Sequence, residues 1–214
     1  MLSIHQLARA SADFLVSRLP EGGGRKPEAE VVAFGLEVAL GGGLQLAVFV
    51  IAARYLGLVP EMMAALATMA SYRLLSGGVH AGAYYRCLLL SLMTLILLAF
   101  LGRELALVAG GYLPVLVLVV FVLNLVIAWH RAPAATPAAP ISNPRRRARL
   151  KQGAYLWLTG WLLVSMAGFY LEWPRGILAS SLLALAVQGF ALTPPGFAAV
   201  ERADSLLQRI LPLG

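Results

Sequence analysis

Cysteine occurs once in this chain, at Cys87, and histidine only three times, at His5, His80 and His130. A single thiol excludes an intrachain disulfide, leaving it inert, reactive or intermolecular. Charge is scarce as well: 13% of residues are charged, and 10 acids face 17 bases. No H-E-x-x-H, G-x-S-x-G or P-loop pattern occurs, which removes the usual zinc protease, serine hydrolase and nucleotide-binding signatures. No metal or cofactor is called for. The first 30 residues are interrupted by polar and charged groups, so no secretory signal peptide is expected there. No internal repeat is evident.

What fills the sequence instead is apolar. Of 214 residues 60% are hydrophobic and the mean hydropathy is +0.80, too apolar for an ordinary soluble domain. The apolar segments follow one another with short polar breaks, which reads as a single polytopic membrane domain over 1–214. The net charge of +7 does not point to nucleic acid, because the basic residues lie between membrane-length segments, where they anchor cytoplasmic loops.

The fold expected is all-α, with about six transmembrane helices in a lipid bilayer and an amphipathic helix at each terminus. An N-terminal arm, 1–27, places Leu7, Phe14 and Leu15 on one side of a surface helix and is broken by the stretch from Pro20 to Pro27. Spans are expected at about 31–59, 62–75, 85–101, 105–129, 154–170 and 176–192. The second is short for a bilayer that needs about 20 residues. Arg103-Glu104 is read as a polar turn, Pro114 as a kink and Asn124 as an interhelical hydrogen bonder. Trp157, Trp161 and Trp173 suit an interfacial belt. Residues 130–153 form an extended basic loop, with Pro133, Pro137, Pro140 and Pro144 ahead of the run Arg145 to Lys151. The tail, 197–214, is amphipathic again. The Gly41-Gly42-Gly43 run in the first span allows close approach of a neighbouring helix and is compatible with a homodimer.

With six spans and a cytoplasmic N-terminus, 14 of the 17 basic residues fall inside and only Arg54, Arg103 and Arg175 outside. This bias places both termini and the loop bearing His80 and Cys87 on the cytoplasmic side of the cell membrane. Thiols stay reduced there.

The stretch from Ser76 to Cys87 is where chemistry concentrates. It carries the cysteine, one histidine and three glycines between two apolar segments. A lone cysteine at a span boundary is most often a small buried hydrophobe, but three features make it a candidate nucleophile. It sits at a helix N-terminus, where unpaired N–H groups favour thiolate. Arg86 and Arg73 lie on the same membrane face. His80 is a base within reach if the backbone turns. Seven residues of unbroken helix would separate His80 and Cys87 by about 10 Å, at about 1.5 Å per residue, so a turn is required, and Gly82 is a place for it. Glu37, one or two turns inside the first span, is the other candidate, since an intramembrane acid is costly. His5 and His130 read as surface residues.

The run from Arg73 through Ser76-Gly77-Gly78-Val79-His80-Ala81, followed by Cys87, resembles the signature of the accessory gene regulator B (AgrB) family. These are membrane-embedded cysteine endopeptidases of Gram-positive quorum sensing. The resemblance extends to Phe34-Gly35-Leu36-Glu37, to Ala132-Pro133-Ala134-Ala135-Thr136 and to Pro140-Ile141 ahead of a basic segment. It departs from the family in an arginine-rich rather than lysine-rich segment and in high Gly and Ala content.

The resemblance implies a mechanism. Cys87 attacks a carbonyl near the C-terminal side of a short amphipathic pro-peptide, His80 takes the thiol proton and returns it to the leaving amine, and the acyl-enzyme closes to a cyclic thiolactone or lactone. Arg73 would orient the loop or bind a peptide carboxylate, Gly78 would make the turn toward His80, and Glu37 would orient His80. The alternative from another class is a small membrane transporter or peptide exporter, with Glu37, Gln45 and Asn124 lining a polar path and Cys87 incidental.

Overall fold

The computed structural model describes residues 4–18, 28–79, 82–135 and 141–210. The break at Pro20 to Pro27, the histidine at 80, Pro137 and Pro140, and the last four residues of the tail lie outside the described residues. Eight helices follow in order: α1 (Ile4–Ser17), α2 (Ala29–Leu56), α3 (Val59–Ser76), α4 (Tyr84–Val108), α5 (Leu113–Arg131), α6 (Pro144–Tyr170), α7 (Arg175–Phe190) and α8 (Pro194–Ile210). Among the described residues the one β pairing outside helices is a single parallel bridge between Gly77 and Ala134. The chain is all-α, as its apolar runs dictate.

Two compact units make up the chain, residues 1–52 and 53–214. The first holds α1 and most of α2. In α1 Ala8 and Ala12 are buried while Leu7, Phe14 and Leu15 are exposed, so the apolar face expected from the sequence is present on a real helix. Within this unit no atom approaches the positions where side chains on Gly35, Gly42 or Gly43 would project.

The second unit is built around α7. Leu178, Ala179, Ser180, Leu182, Ala184, Leu185, Gln188 and Gly189 are all buried, and a helix buried on every side belongs at the centre of a bundle. Helices α3, α4 and α5 pack on it. Small residues permit this closeness. A Cβ at Gly102 of α4 would overlap the Ser180 side chain, and one at Gly189 would overlap the Asn124 amide of α5. Hydrogen bonds add direction: Ser181 Oγ meets Thr68 Oγ1 of α3 at 2.7 Å and accepts from Trp161 Nε1 of α6 at 2.8 Å. Tyr72 of α3 stacks on Trp157 of α6 with ring centroids 4.9 Å apart, and Trp157 Nε1 donates to Ser71 Oγ at 3.1 Å. Trp157 and Trp161 therefore face the bundle rather than a membrane interface, because each indole N–H has a hydroxyl partner inside. Trp173 stays half exposed.

Several expected boundaries move. Three helices, α2, α4 and α5, are long and apolar enough to cross a membrane, and α7 with α8 qualifies only as a pair bent by 95°. By length and composition alone three or four spans qualify among the described residues, so the expected count of about six is not confirmed; α7 has only 16 residues. Arg103-Glu104 is helical, not a turn. Arg103 is satisfied where it stands, donating to Glu61 Oε1 at 3.0 and 3.2 Å and to the Gly57 carbonyl at 2.8 Å. The break comes later, at Ala109-Gly110-Gly111-Tyr112, and Pro114 opens α5 in its first turn instead of kinking it. The basic run is likewise helical: Asn143 caps α6 by accepting from the N–H groups of Arg145 (2.9 Å) and Arg146 (3.3 Å), with Pro144 at the helix start. Of the segment read as a loop over 130–153, the described residues that are not helical are 132–135 and 141–143. The tail helix begins at Pro194, three residues before its expected start, and runs crosswise to α7.

Candidate functional site

The start of the loop between α3 and α4 is fixed by two residues distant in sequence, Ala134 and Gln188, and by Arg73 of α3 itself. Helix α3 ends at Ser76 because Gly77 and Gly78 take φ of +73° and +140°, conformations that suit glycine alone. At Gly77 the backbone also leaves no room, since a Cβ there would overlap the Ala134 carbonyl. Ala134 follows a cis Ala132–Pro133 peptide, and its N–H donates to the Ser76 carbonyl at 2.8 Å. From α7, the fully buried Gln188 donates its Nε2 to the Gly77 carbonyl at 3.1 Å and to Ser76 Oγ at 3.3 Å. Arg73 turns back from the last turn of α3 and its Nη2 donates to the Val79 carbonyl. Its guanidinium and the Gln188 amide both pass within 3.5 Å of where a side chain on Gly78 would begin.

On the far side of the loop, the chain bends at Gly82-Ala83, with Ala83 itself extended, and α4 begins at Tyr84. Cys87 is half-buried in the first turn, its N–H donating to the Ala83 carbonyl at 3.0 Å. Helix α4 starts at Tyr84, so Gly82 and Ala83, before it, are not helical. The positive φ angles at Gly77 and Gly78 fall before position 80 and not between it and Cys87. Position 80 itself lies outside the described residues.

The two arginines divide their work. Arg86, 8% exposed, donates its Nε to Asp204 Oδ1 at 2.6 Å and its Nη1 to the Tyr85 hydroxyl at 3.2 Å. Asp204, on α8, which is not long enough to cross a membrane by itself, also accepts from the Gly82 N–H at 3.1 Å. The hydrogen bond from Arg86 holds the Asp204 carboxyl below the usual carboxylate range, against the opposing effect of burial, and the Gly82 N–H adds to it. The expectation that Arg86 serves the thiol is thus corrected: its charge is taken up by Asp204. Arg73 and the Tyr84 hydroxyl both lie within electrostatic range of the Cys87 side chain.

Behind the Gly77–Ala134 bridge lies an open cleft of about 550 Å³, lined by His130, Arg131, Ala134, Arg147, Phe197 and Glu201 among others. His130 is exposed, as expected. Glu37 is half-buried on α2, in the first compact unit, whereas Cys87, Arg73 and Gly78 belong to the second. Asn124 is buried and donates to Val120 of its own helix at 3.0 Å, so it packs against α7 at Gly189 and does not stand free in a path. Among the described residues no group of three His, Cys, Asp or Glu side chains could hold a metal.

Sequence reasoning missed Gln188 and Asp204. Gln188 carried a signal, being the one amide in α7. Asp204 carried none, because its partner is 118 residues away.

The family model for accessory gene regulator B matches residues 9–192. Two curated proteins of Clostridium perfringens, each described only as AgrB-like, are similar. One from strain SM101 is 26% identical over 159 residues, covering 71% of this chain and 74% of its own length. The other, from strain 13, is 25% identical over 220 residues, covering 97% of this chain and all of its own. No solved structure matches.

Proposed function

Because the chain belongs to the accessory gene regulator B family, we propose that it is a membrane cysteine endopeptidase that processes a quorum-sensing pro-peptide. Cys87 is the nucleophile and His80 its base. The thiol of Cys87 attacks the carbonyl carbon at the scissile bond, and His80 takes the thiol proton and delivers it to the leaving amine. The C–N bond breaks and a thioester to Cys87 remains. A thiol or hydroxyl of the bound peptide then attacks the thioester, closing a thiolactone or lactone ring and returning the proton to Cys87 by way of His80. Water must be kept away, since hydrolysis of the thioester gives a linear product.

The observation that carries this reading is the double placement of Arg73. One guanidinium, in the last turn of α3, holds the carbonyl of Val79, the residue before His80, and lies within electrostatic range of the Cys87 side chain. Arg73 therefore serves as the group that orients the loop, and Gly78 supplies a conformation no other residue adopts freely. The substrate is a short amphipathic peptide delivered from the bilayer, the site faces the cytoplasm and both termini lie on that side. A homodimer is compatible with the glycine run of α2.

The test is reconstitution of the full chain in liposomes with the amphipathic peptide encoded beside its gene. Wild type yields a shortened, cyclised product by mass spectrometry; Cys87→Ala and His80→Ala yield none. Product formation by Cys87→Ala would remove the nucleophile from the account.

A further inference from the structure

Helix α4 starts without a cap of its own. Its N-cap residue, Ala83, has extended backbone and makes no side-chain capping hydrogen bond. A carboxylate from the far end of the chain is placed beside this entry, bonded to the Gly82 N–H just before the helix and to the Arg86 side chain within it. Asp204 Oδ1 accepts from Arg86 Nε at 2.6 Å, and Oδ2 accepts from the Gly82 N–H at 3.1 Å and from Arg86 Nη2 at 3.5 Å. A negative group at this end is favoured by the helix dipole, and a guanidinium gripped through two nitrogens is held in orientation as well as in distance. The pair is well shielded, with side-chain exposures of 10% and 19%.

The clasp bears on Cys87 in two ways. The thiol rides on the first turn of α4, whose entry at Gly82 and third residue at Arg86 are both held by Asp204. In addition, Asp204 occupies the guanidinium of Arg86, the cation nearest in sequence to the thiol.

We propose that Asp204 is a positioning residue: reaching from α8, it fixes the entry of α4 and thereby the placement and ionic surroundings of the Cys87 thiol. Its effect on turnover rests on the peptidase reading; its effect on the thiol does not. Helix α8 is thus part of the machinery rather than a passive surface anchor.

The experiment uses the full chain in liposomes as wild type, Asp204→Ala, Asp204→Glu, Arg86→Asp and the exchange Arg86→Asp/Asp204→Arg. Two quantities are read: kcat and KM for the peptide encoded beside the gene, and the rate of alkylation by iodoacetamide, which reports on Cys87 alone because the chain has no other thiol. Asp204→Ala is expected to lower kcat about tenfold to a hundredfold with KM within about twofold, the signature of a displaced reacting group. Its alkylation rate should differ from wild type by about threefold or more, the scale of a misplaced thiol. Asp204→Glu should keep kcat within about threefold, and the exchange should recover about tenfold over Arg86→Asp alone. Equal kcat in wild type and Asp204→Ala overturns the proposal. Where Asp204→Ala fails to fold, the exchange decides, and a folded exchange no better than Arg86→Asp overturns it. Wild type without any Cys87-dependent product defeats the peptidase reading; the alkylation rates then judge the clasp, and unchanged rates overturn it.

Discussion

Gln188, at the centre of the bundle, donates its side-chain amide to the carbonyl of Gly77 at 3.1 Å. That bond ties the most buried helix to the point where α3 stops and the loop toward Cys87 begins. Replacing Gln188 with Leu leaves the Gly77 carbonyl and the Ser76 hydroxyl without this donor. The expected cost is about 1 kcal/mol of stability, near the mean for a single intramolecular hydrogen bond, read as a lowered Tm in detergent. Processing should fall by about tenfold or more, since the loop loses its anchor.

Gly77 and Gly78 separate two effects that glycine can serve. Gly77→Ala adds a methyl into the Ala134 carbonyl at a φ of +73°, whereas Gly78→Ala meets only ordinary contacts, at a φ of +140°. Both variants carry backbone strain of about 1–3 kcal/mol, and only Gly77→Ala adds a steric overlap. The prediction is that both lose processing and that Gly77→Ala also has the lower Tm.

At the crossing of α4 and α7, Gly102→Val should destabilise the bundle by about 1–3 kcal/mol, because Ser180 occupies the space a side chain needs. Gly160→Ala is the control, as nothing lies within 4 Å of its added methyl. A Tm unchanged in Gly102→Val would refute the close packing of these helices.

The Asp204 carboxyl is held below its ordinary value by Arg86, which fixes the direction of its pH dependence. A depressed folded-state pKa means stabilisation is present above the unfolded value, about 3.9, and is lost as pH falls through the folded value. The clasp therefore stays closed from pH 5 to pH 8. A rate profile over that range should show the same inflections in wild type and Asp204→Glu, and an inflection that moves with Asp204→Glu would contradict it.

The sequence made the helices legible wherever an apolar run had no competing signal, as at α2 and in the cores of α4, α5 and α7. It misled where charge was taken as a sign of loop. Arg103 stays helical because Glu61 and the Gly57 carbonyl receive it across the α3–α4 contact. The Arg145 to Lys151 run stays helical because Asn143 caps it and arginine is a good helix former. At the site, the glycines and Cys87 could be read from local spacing alone. Their supports could not, since Gln188, Ala134 and Asp204 reach the loop from 111, 57 and 122 residues away along the chain. Tertiary pairs of that separation leave no periodic trace in a single sequence.

The most direct measurement is the intact mass of the protein quenched in acid during turnover of its peptide in liposomes. The account predicts an added mass equal to the acyl fragment in wild type, released by hydroxylamine as a thioester is, and absent from Cys87→Ala. An adduct on any other residue, or turnover by Cys87→Ala with no adduct at all, would contradict it.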